Sequence, residues 1–122
     1  MPMRGLTIVL ASPDQVRLRS ALGMAAAQAA LGGTARLFLD SAAVSLAASP
    51  ITGADDGAHQ AAGLPTLVEL VDTGLALGVR IILCQSGMAL ADLSASSIDF
   101  RFETGGMTGL LAQLGDDRLI CF

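Results

Sequence analysis

Three short apolar runs constrain this chain most: Leu6–Ala11, Thr34–Leu39 and Val79–Leu83. Leu6–Ala11 is nearly all apolar and partly β-branched, the pattern of a strand buried on both faces, as in a parallel sheet. Between the first two runs lies an alanine-rich stretch, Val16 to Leu31, that reads as a helix. Strand, helix, strand is the signature of a parallel sheet with right-handed crossovers.

The punctuation supports this layout. Ser12-Pro13-Asp14-Gln15 has the form of a capping box, with Ser12 as N-cap, Pro13 at the first helical position and Gln15 reaching back. Gly32-Gly33 ends the helix. Asp40 caps a short helical piece, Ser41 to Ala48. Pro65 starts another helix, in which Leu67, Leu70, Val71 and Leu75 share one face, and Gly78 closes it. A short helix is expected over Gly87 to Leu93. Ile98-Asp99-Phe100-Arg101-Phe102 alternates apolar and polar, which predicts a more exposed strand near a sheet edge. Thr104-Gly105-Gly106 then turns into a helix ending near Gly115, and Arg118–Phe122 reads as a terminal strand. The expected fold is a single α/β domain over residues 1–122, a three-layer α/β/α sandwich around five strands.

Composition narrows the function classes. Of 122 residues 52% are apolar and 15% charged, enough for a sizeable core in one domain. Four Phe, with no Trp or Tyr, argue against an aromatic stacking platform for nucleic acid. The basic residues are scattered as isolated Arg and the net charge is −4, so no phosphate-backbone partner is expected. Met1-Pro2-Met3-Arg4-Gly5 lacks the regions of a signal peptide, and no apolar run reaches membrane-spanning length. A cytoplasmic protein without a membrane partner is expected, with its two Cys as free thiols.

Cys84 is the candidate nucleophile. It closes the run Val79-Arg80-Ile81-Ile82-Leu83 and precedes Gln85-Ser86-Gly87-Met88. A thiol is thereby placed at the carboxyl end of a buried strand, the edge where open α/β sheets bind ligands. The thiolate is the reactive form, and free backbone N–H groups of the Gln85–Met88 loop favour an anion there. Gly87 has no side chain to block a close approach. The bland alternative is a buried Cys acting as a small hydrophobe. That reading is the expected one for Cys121, which sits between Ile120 and Phe122.

Other groups are weaker. Ser49 to Gly63 holds Pro50, three Gly, Asp55, Asp56 and His59 without periodicity, and is expected to be a long mobile loop that gates access to Cys84. His59, the only histidine, is a candidate accessory base or cation over Cys84, although such a residue is commonly just solvated surface. No metal-ligand spacing and no GxGxxG or GxxxxGK[ST] motif occurs, so neither a metal nor another cofactor is expected.

The stretch Gly78-Val79-Arg80-Ile81-Ile82-Leu83-Cys84-Gln85-Ser86-Gly87-Met88-Ala89-Leu90 resembles the cysteine-bearing segment of the DsrE family of small sulfur-relay proteins, including DsrE/DsrF-like and TusD-like subunits. The Leu6–Ala11 strand, the Pro65–Gly78 helix and the Asp117–Phe122 strand fall in the expected order. The resemblance implies a parallel five-stranded sheet and assembly into trimers or hexamers. It also implies a persulfide on Cys84, loaded from a donor protein or small sulfane-sulfur compound and passed to an acceptor. The alternative within the same fold is a non-catalytic oligomeric binding or redox-sensing module.

Overall fold

The computed structural model describes residues 3–122. Met1 and Pro2, the start of the segment read as lacking a signal peptide, lie outside the described residues. Five strands form one sheet: β1 (Leu6–Leu10), β2 (Ala35–Leu39), β3 (Arg80–Cys84), β4 (Glu103–Gly105) and β5 (Arg118–Cys121). Their order is β4-β3-β2-β1-β5, and every pairing is parallel. The helices are α1 (Gln15–Ala30), α2 (Asp56–Ala61), α3 (Leu67–Ala76), α4 (Gln85–Leu90) and α5 (Met107–Ala112). A 3-10 segment spans Ser41–Ala47 and a shorter one Ala95–Ser97.

Because register partners share a face, the sheet divides cleanly. Leu6, Ile8, Leu10, Leu37, Leu39, Ile81 and Leu83 point to one side, where α1 and α3 cover them with Leu18, Leu22, Leu67 and Val71. Thr7, Val9, Arg36, Phe38, Arg80, Ile82 and Cys84 point to the other, where α5 brings Leu110. Helices thus lie on both faces, giving the three-layer α/β sandwich. Phe38, Ile8, Leu10 and Leu37 are fully buried, as the apolar runs require. Among the described residues, no helix is long and apolar enough to cross a membrane.

Several local expectations change. The N-cap of α1 is Asp14, whose carboxylate accepts from Arg17 N at 3.0 Å, rather than Ser12. Gln15 does not reach back; its amide spans to Thr52 O and Ala54 N at 3.1 and 2.7 Å. Ser49–Gly63 is not a structureless loop. It contains α2, pinned by Asp56, whose carboxylate accepts from Gly53 N and Leu67 N and pairs with Arg19. Its sequence shows no apolar period because α2 buries none of its residues. Ile98–Phe102 is a turn, closed by Phe102 N to Asp99 O at 3.1 Å and by Asp99 accepting from Arg101 N. Of the apolar positions of that run, Phe102 is in the core and Ile98 packs against it, whereas Phe100 is exposed, so they do not form one face of a strand. The strand β4 follows it, over residues read as a turn, and pairs Cys84 with Gly105. The helix after Pro65 is as expected in kind, but Thr66 caps it in a capping box with Glu69.

Candidate functional site

Cys84 is the last residue of β3 and the N-cap of α4. The run Gln85–Met88, expected as a loop, is therefore the first turn of a helix, and the helix starts two residues earlier than the sequence suggests. An N-cap residue keeps extended dihedrals while its side chain accepts from the first turn. Cys84 does this: its φ is −63° and ψ 120°, and Sγ accepts from Gly87 N at 3.4 Å. Among the described residues this is the one hydrogen bond of the thiol.

Gly87 is fixed by sterics. A Cβ there would lie 2.3 Å from the backbone carbonyl oxygen of Ser41. Ser41 itself holds the left-handed conformation, φ 49°, where the chain leaves β2. The backbone of α4 thus rests directly on the Ser41–Ala47 segment, and this contact holds the turn that faces Sγ. The Gly87 gap is occupied by the neighbouring backbone rather than being open to an incoming anion.

The surroundings of Cys84 are mostly apolar. The residue is 8% exposed, beside buried Ile82, Leu83 and Met88. Gln85 and Ser86 are exposed and form the surface above it. Two hollows flank α4. One, about 240 Å³, is lined by Ser41, Ser45, Gly87 and Leu90; the other, about 440 Å³, by Met88, Ile98, Phe100 and Phe102. Leu90 and Phe100 stand almost fully exposed at their rims, at 89% and 93%. Cys84 lines neither hollow.

His59 is not brought to Cys84 by any contact. It lies on α2, exposed, with Nδ1 2.7 Å from Asp55 O. Cys121 reverses its expectation: it is exposed, not core. The edge strand β5 pairs only with β1, and its outward residues are incompletely covered. Cys121 shares a sheet face with Cys84 but pairs with Val9, in the row that runs through Phe38 to Ile82. Three strand spacings, about 14 Å, separate β5 from β3. A disulfide needs Cα atoms within about 7 Å, so the two thiols of one chain do not pair. No group of three His, Cys, Asp or Glu among the described residues could hold a metal ion.

A second group of chemistry-bearing residues escaped the sequence reading. Arg36 and Arg80 are register partners on adjacent strands and point to the same face as Cys84. Arg36 is 7% exposed and donates from Nε and Nη2 to Thr7 Oγ1 at 3.2 and 2.9 Å, with Asp117 at 3.6 Å. Arg80 forms a two-pronged pair with Glu103, at 2.9 and 2.7 Å. The hydrogen bond from Arg80, strengthened by its charge, holds the Glu103 carboxyl below the usual carboxylate range. The signal was present in the sequence: a charged residue in a run otherwise apolar on both faces needs a built partner.

No family model matches the chain, and no curated protein does. Solved structures do match in fold. The ychN protein from E. coli is 19% identical with a TM-score of 0.71, over 98% of this chain and 100% of that one. A conserved protein of unknown function, BT1422 from Bacteroides thetaiotaomicron, is 17% identical with a TM-score of 0.70, over 97% and 94%. MTH1491 from Methanobacterium thermoautotrophicum, also of unknown function, is 11% identical with a TM-score of 0.69, over 98% and 100%. At these identities the likeness is one of fold alone.

Proposed function

We propose that this chain is a DsrE-like sulfur carrier that holds sulfane sulfur as a persulfide on Cys84. The observation that carries the reading is the placement of Cys84. The thiol ends a central-sheet strand, caps a helix and receives the Gly87 N–H at 3.4 Å. The resemblance of the Gly78–Leu90 segment to the DsrE cysteine segment supports the same residue.

The chemistry is a thiolate exchange. Cys84 first loses its proton to solvent. The thiolate attacks the outer sulfur of a persulfide donor, R–S–SH, forming a new S–S bond at Cys84 as the donor's S–S bond breaks. The donor leaves as a thiolate, RS⁻. A partner thiolate then attacks the outer sulfur and returns Cys84 to its thiolate. No net oxidant is needed. The Gly87 N–H is the donor placed to stabilise charge on Cys84 sulfur. In this reading the acceptor is a partner thiol, the protein acts in the cytoplasm, and the working unit is a homotrimer or hexamer. Exposed Leu119 (45%) on β5 and Leu111 (48%) on α5 are apolar surface available for such assembly.

One observation favours a second reading. Cys84 is largely covered and opens into neither neighbouring hollow, as in a non-catalytic binding module whose thiol is a packing residue. Intact mass after exposure to a sulfane-sulfur donor separates the two. The carrier gains one reducible sulfur, keeps it in Cys121→Ser and loses it in Cys84→Ser. A gain that persists in Cys84→Ser, or no gain while Cys84 is accessible to alkylation, overturns the carrier reading.

A further inference from the structure

We infer that Arg36 and Arg80 form a binding site for a small oxyanion, on the same sheet face as Cys84 and separate from it. The two residues are register partners, so both side chains leave the same sheet face, Arg36 turning toward Thr7 and Asp117 and Arg80 toward Glu103. Like charges at paired positions repel. Each is offset by its own carboxylate, Asp117 for Arg36 and Glu103 for Arg80. These pairings leave one fork of each group unused. Arg36 commits Nε and Nη2, to Thr7 and to Leu110 O; Arg80 commits Nε and Nη2, to Glu103. Among the described residues, Nη1 of neither arginine has a hydrogen-bond partner.

The free Nη1 of Arg36 is the informative atom. Its residue is more than nine-tenths buried. Yet the one sealed side-chain polar atom without a partner among the described residues is Ser12 Oγ. Arg36 Nη1 is therefore not sealed from solvent, and Arg36 lines two hollows. These hollows, about 280 and 220 Å³, adjoin there and share Arg36, Arg80 and Gln113 in their walls. Asp117 lines the first hollow and Glu103 the second, each already paired with its own arginine, so the unused Nη1 groups and the Gln113 amide are the donors left for a carboxylate or a tetrahedral oxyanion. The net charge of −4 offers no long-range attraction to an anion, so recognition is local and sensitive to salt.

The site is distinct from the thiol. Arg80 and Cys84 begin and end the same strand, about 13 Å apart. A small anion held by Arg80 is out of bonding reach of Sγ, so it is a ligand of the fold rather than the attacked sulfur donor.

The test is an NMR titration of the full chain with sodium sulfate, inorganic phosphate and sodium acetate, at ionic strength held constant with sodium chloride. The side-chain Nε–H signals of Arg36 and Arg80 and the Gln113 amide should shift together and saturate with one midpoint for at least one probe. Saturation with sulfate or phosphate alone assigns a tetrahedral ligand, and with acetate alone a carboxylate. Arg80→Gln, at a half-exposed position that tolerates substitution, should raise the midpoint about tenfold or more, as expected for loss of a charged donor. Cys84→Ser should leave it unchanged, so the result stands apart from the carrier reading. Arg36→Gln should abolish saturation where it folds, and Arg80→Gln decides where it does not. No saturable shift with any probe, or an unchanged midpoint in Arg80→Gln, overturns the assignment.

Discussion

The two cysteines share a sheet face yet sit in opposite settings. Cys84 lies where the sheet meets a helix start: α4 rests on the Ser41 carbonyl, and the cysteine that caps α4 is buried. Cys121 lies on an edge strand that β1 alone pairs with, and it is exposed. The residues between them complete the contrast. Toward the amino end of that face, order comes from polar groups, Arg36 with Thr7 and Asp117 and Arg80 with Glu103, rather than from a close backbone contact. Burial is thus set by the layer that covers a strand end, not by the residue type. A terminal apolar run can hold its cysteine in the open while a strand end that runs into a helix with one closely packed glycine buries another.

Gly87→Ala tests the enclosed side most severely. The added Cβ meets backbone at Ser41, which cannot rotate aside as a side chain can. Overpacking of this kind costs up to about 3 kcal/mol. Urea unfolding should show a matching fall in midpoint, and the Gly87 amide signal should move as its contact with Cys84 Sγ is disturbed. An unchanged midpoint would mean that α4 is not clamped and that Cys84 is enclosed for another reason.

The polar half responds to a smaller change. Thr7 Oγ1 accepts twice from Arg36 and donates to Asp117 at 2.8 Å, with the residue fully buried. Thr7→Val keeps the shape and removes the acceptor. A buried guanidinium losing its main partner costs about 2 kcal/mol. Equilibrium unfolding checks this, and the Cys84–Gly87 contact should be unaffected. If Thr7→Val disturbed the thiol as strongly as Gly87→Ala, the two halves would be one cooperative unit and the contrast would fail.

Glycines separate the halves again. Gly109 lies inside α5, with nothing within 4 Å of an added Cβ. Gly109→Ala should therefore stabilise by about 0.5–1 kcal/mol through helix propensity, opposite in sign to Gly87→Ala. A thermal melt of the two variants side by side reads the sign directly.

How much of this was legible in the sequence follows from the same physics. β1, β2 and β3 were readable because strands buried on both faces are mostly apolar, here interrupted only by Thr7, Arg36 and the exposed Arg80. β5 was readable as a strand, but an apolar run does not reveal whether a helix covers it, so the exposure of Cys121 was not. β4 was misplaced because the alternation of Ile98 to Phe102 imitates an edge strand, whereas Asp99 and Arg101 close it as a turn. Glu103-Thr104-Gly105 has no strand pattern of its own and is extended by pairing with β3. Cys84 was legible at its strand end. Arg36 and Arg80 each stood out as a charge in an apolar run, but their pairing was not legible, because sheet register rather than chain proximity brings them together.

The smallest expected effect concerns Asp56, which holds the segment once read as a gate over Cys84. The N–H groups of Gly53 and Leu67, with Arg19, keep its carboxyl below the ordinary 3.8. A carboxylate with a depressed folded value contributes stability that is complete above the unfolded value. That contribution is lost as pH falls through the lower folded one. The amides of Gly53 and Leu67 should therefore titrate together below pH 3.8, in step with loosening of α2. The Gly87 amide should stay still over the same range, because Asp56 makes its contacts with α1, α3 and its own turn, not with α4. Movement of the Gly87 signal with the same midpoint would tie the two regions together and restore the segment to a role at the thiol.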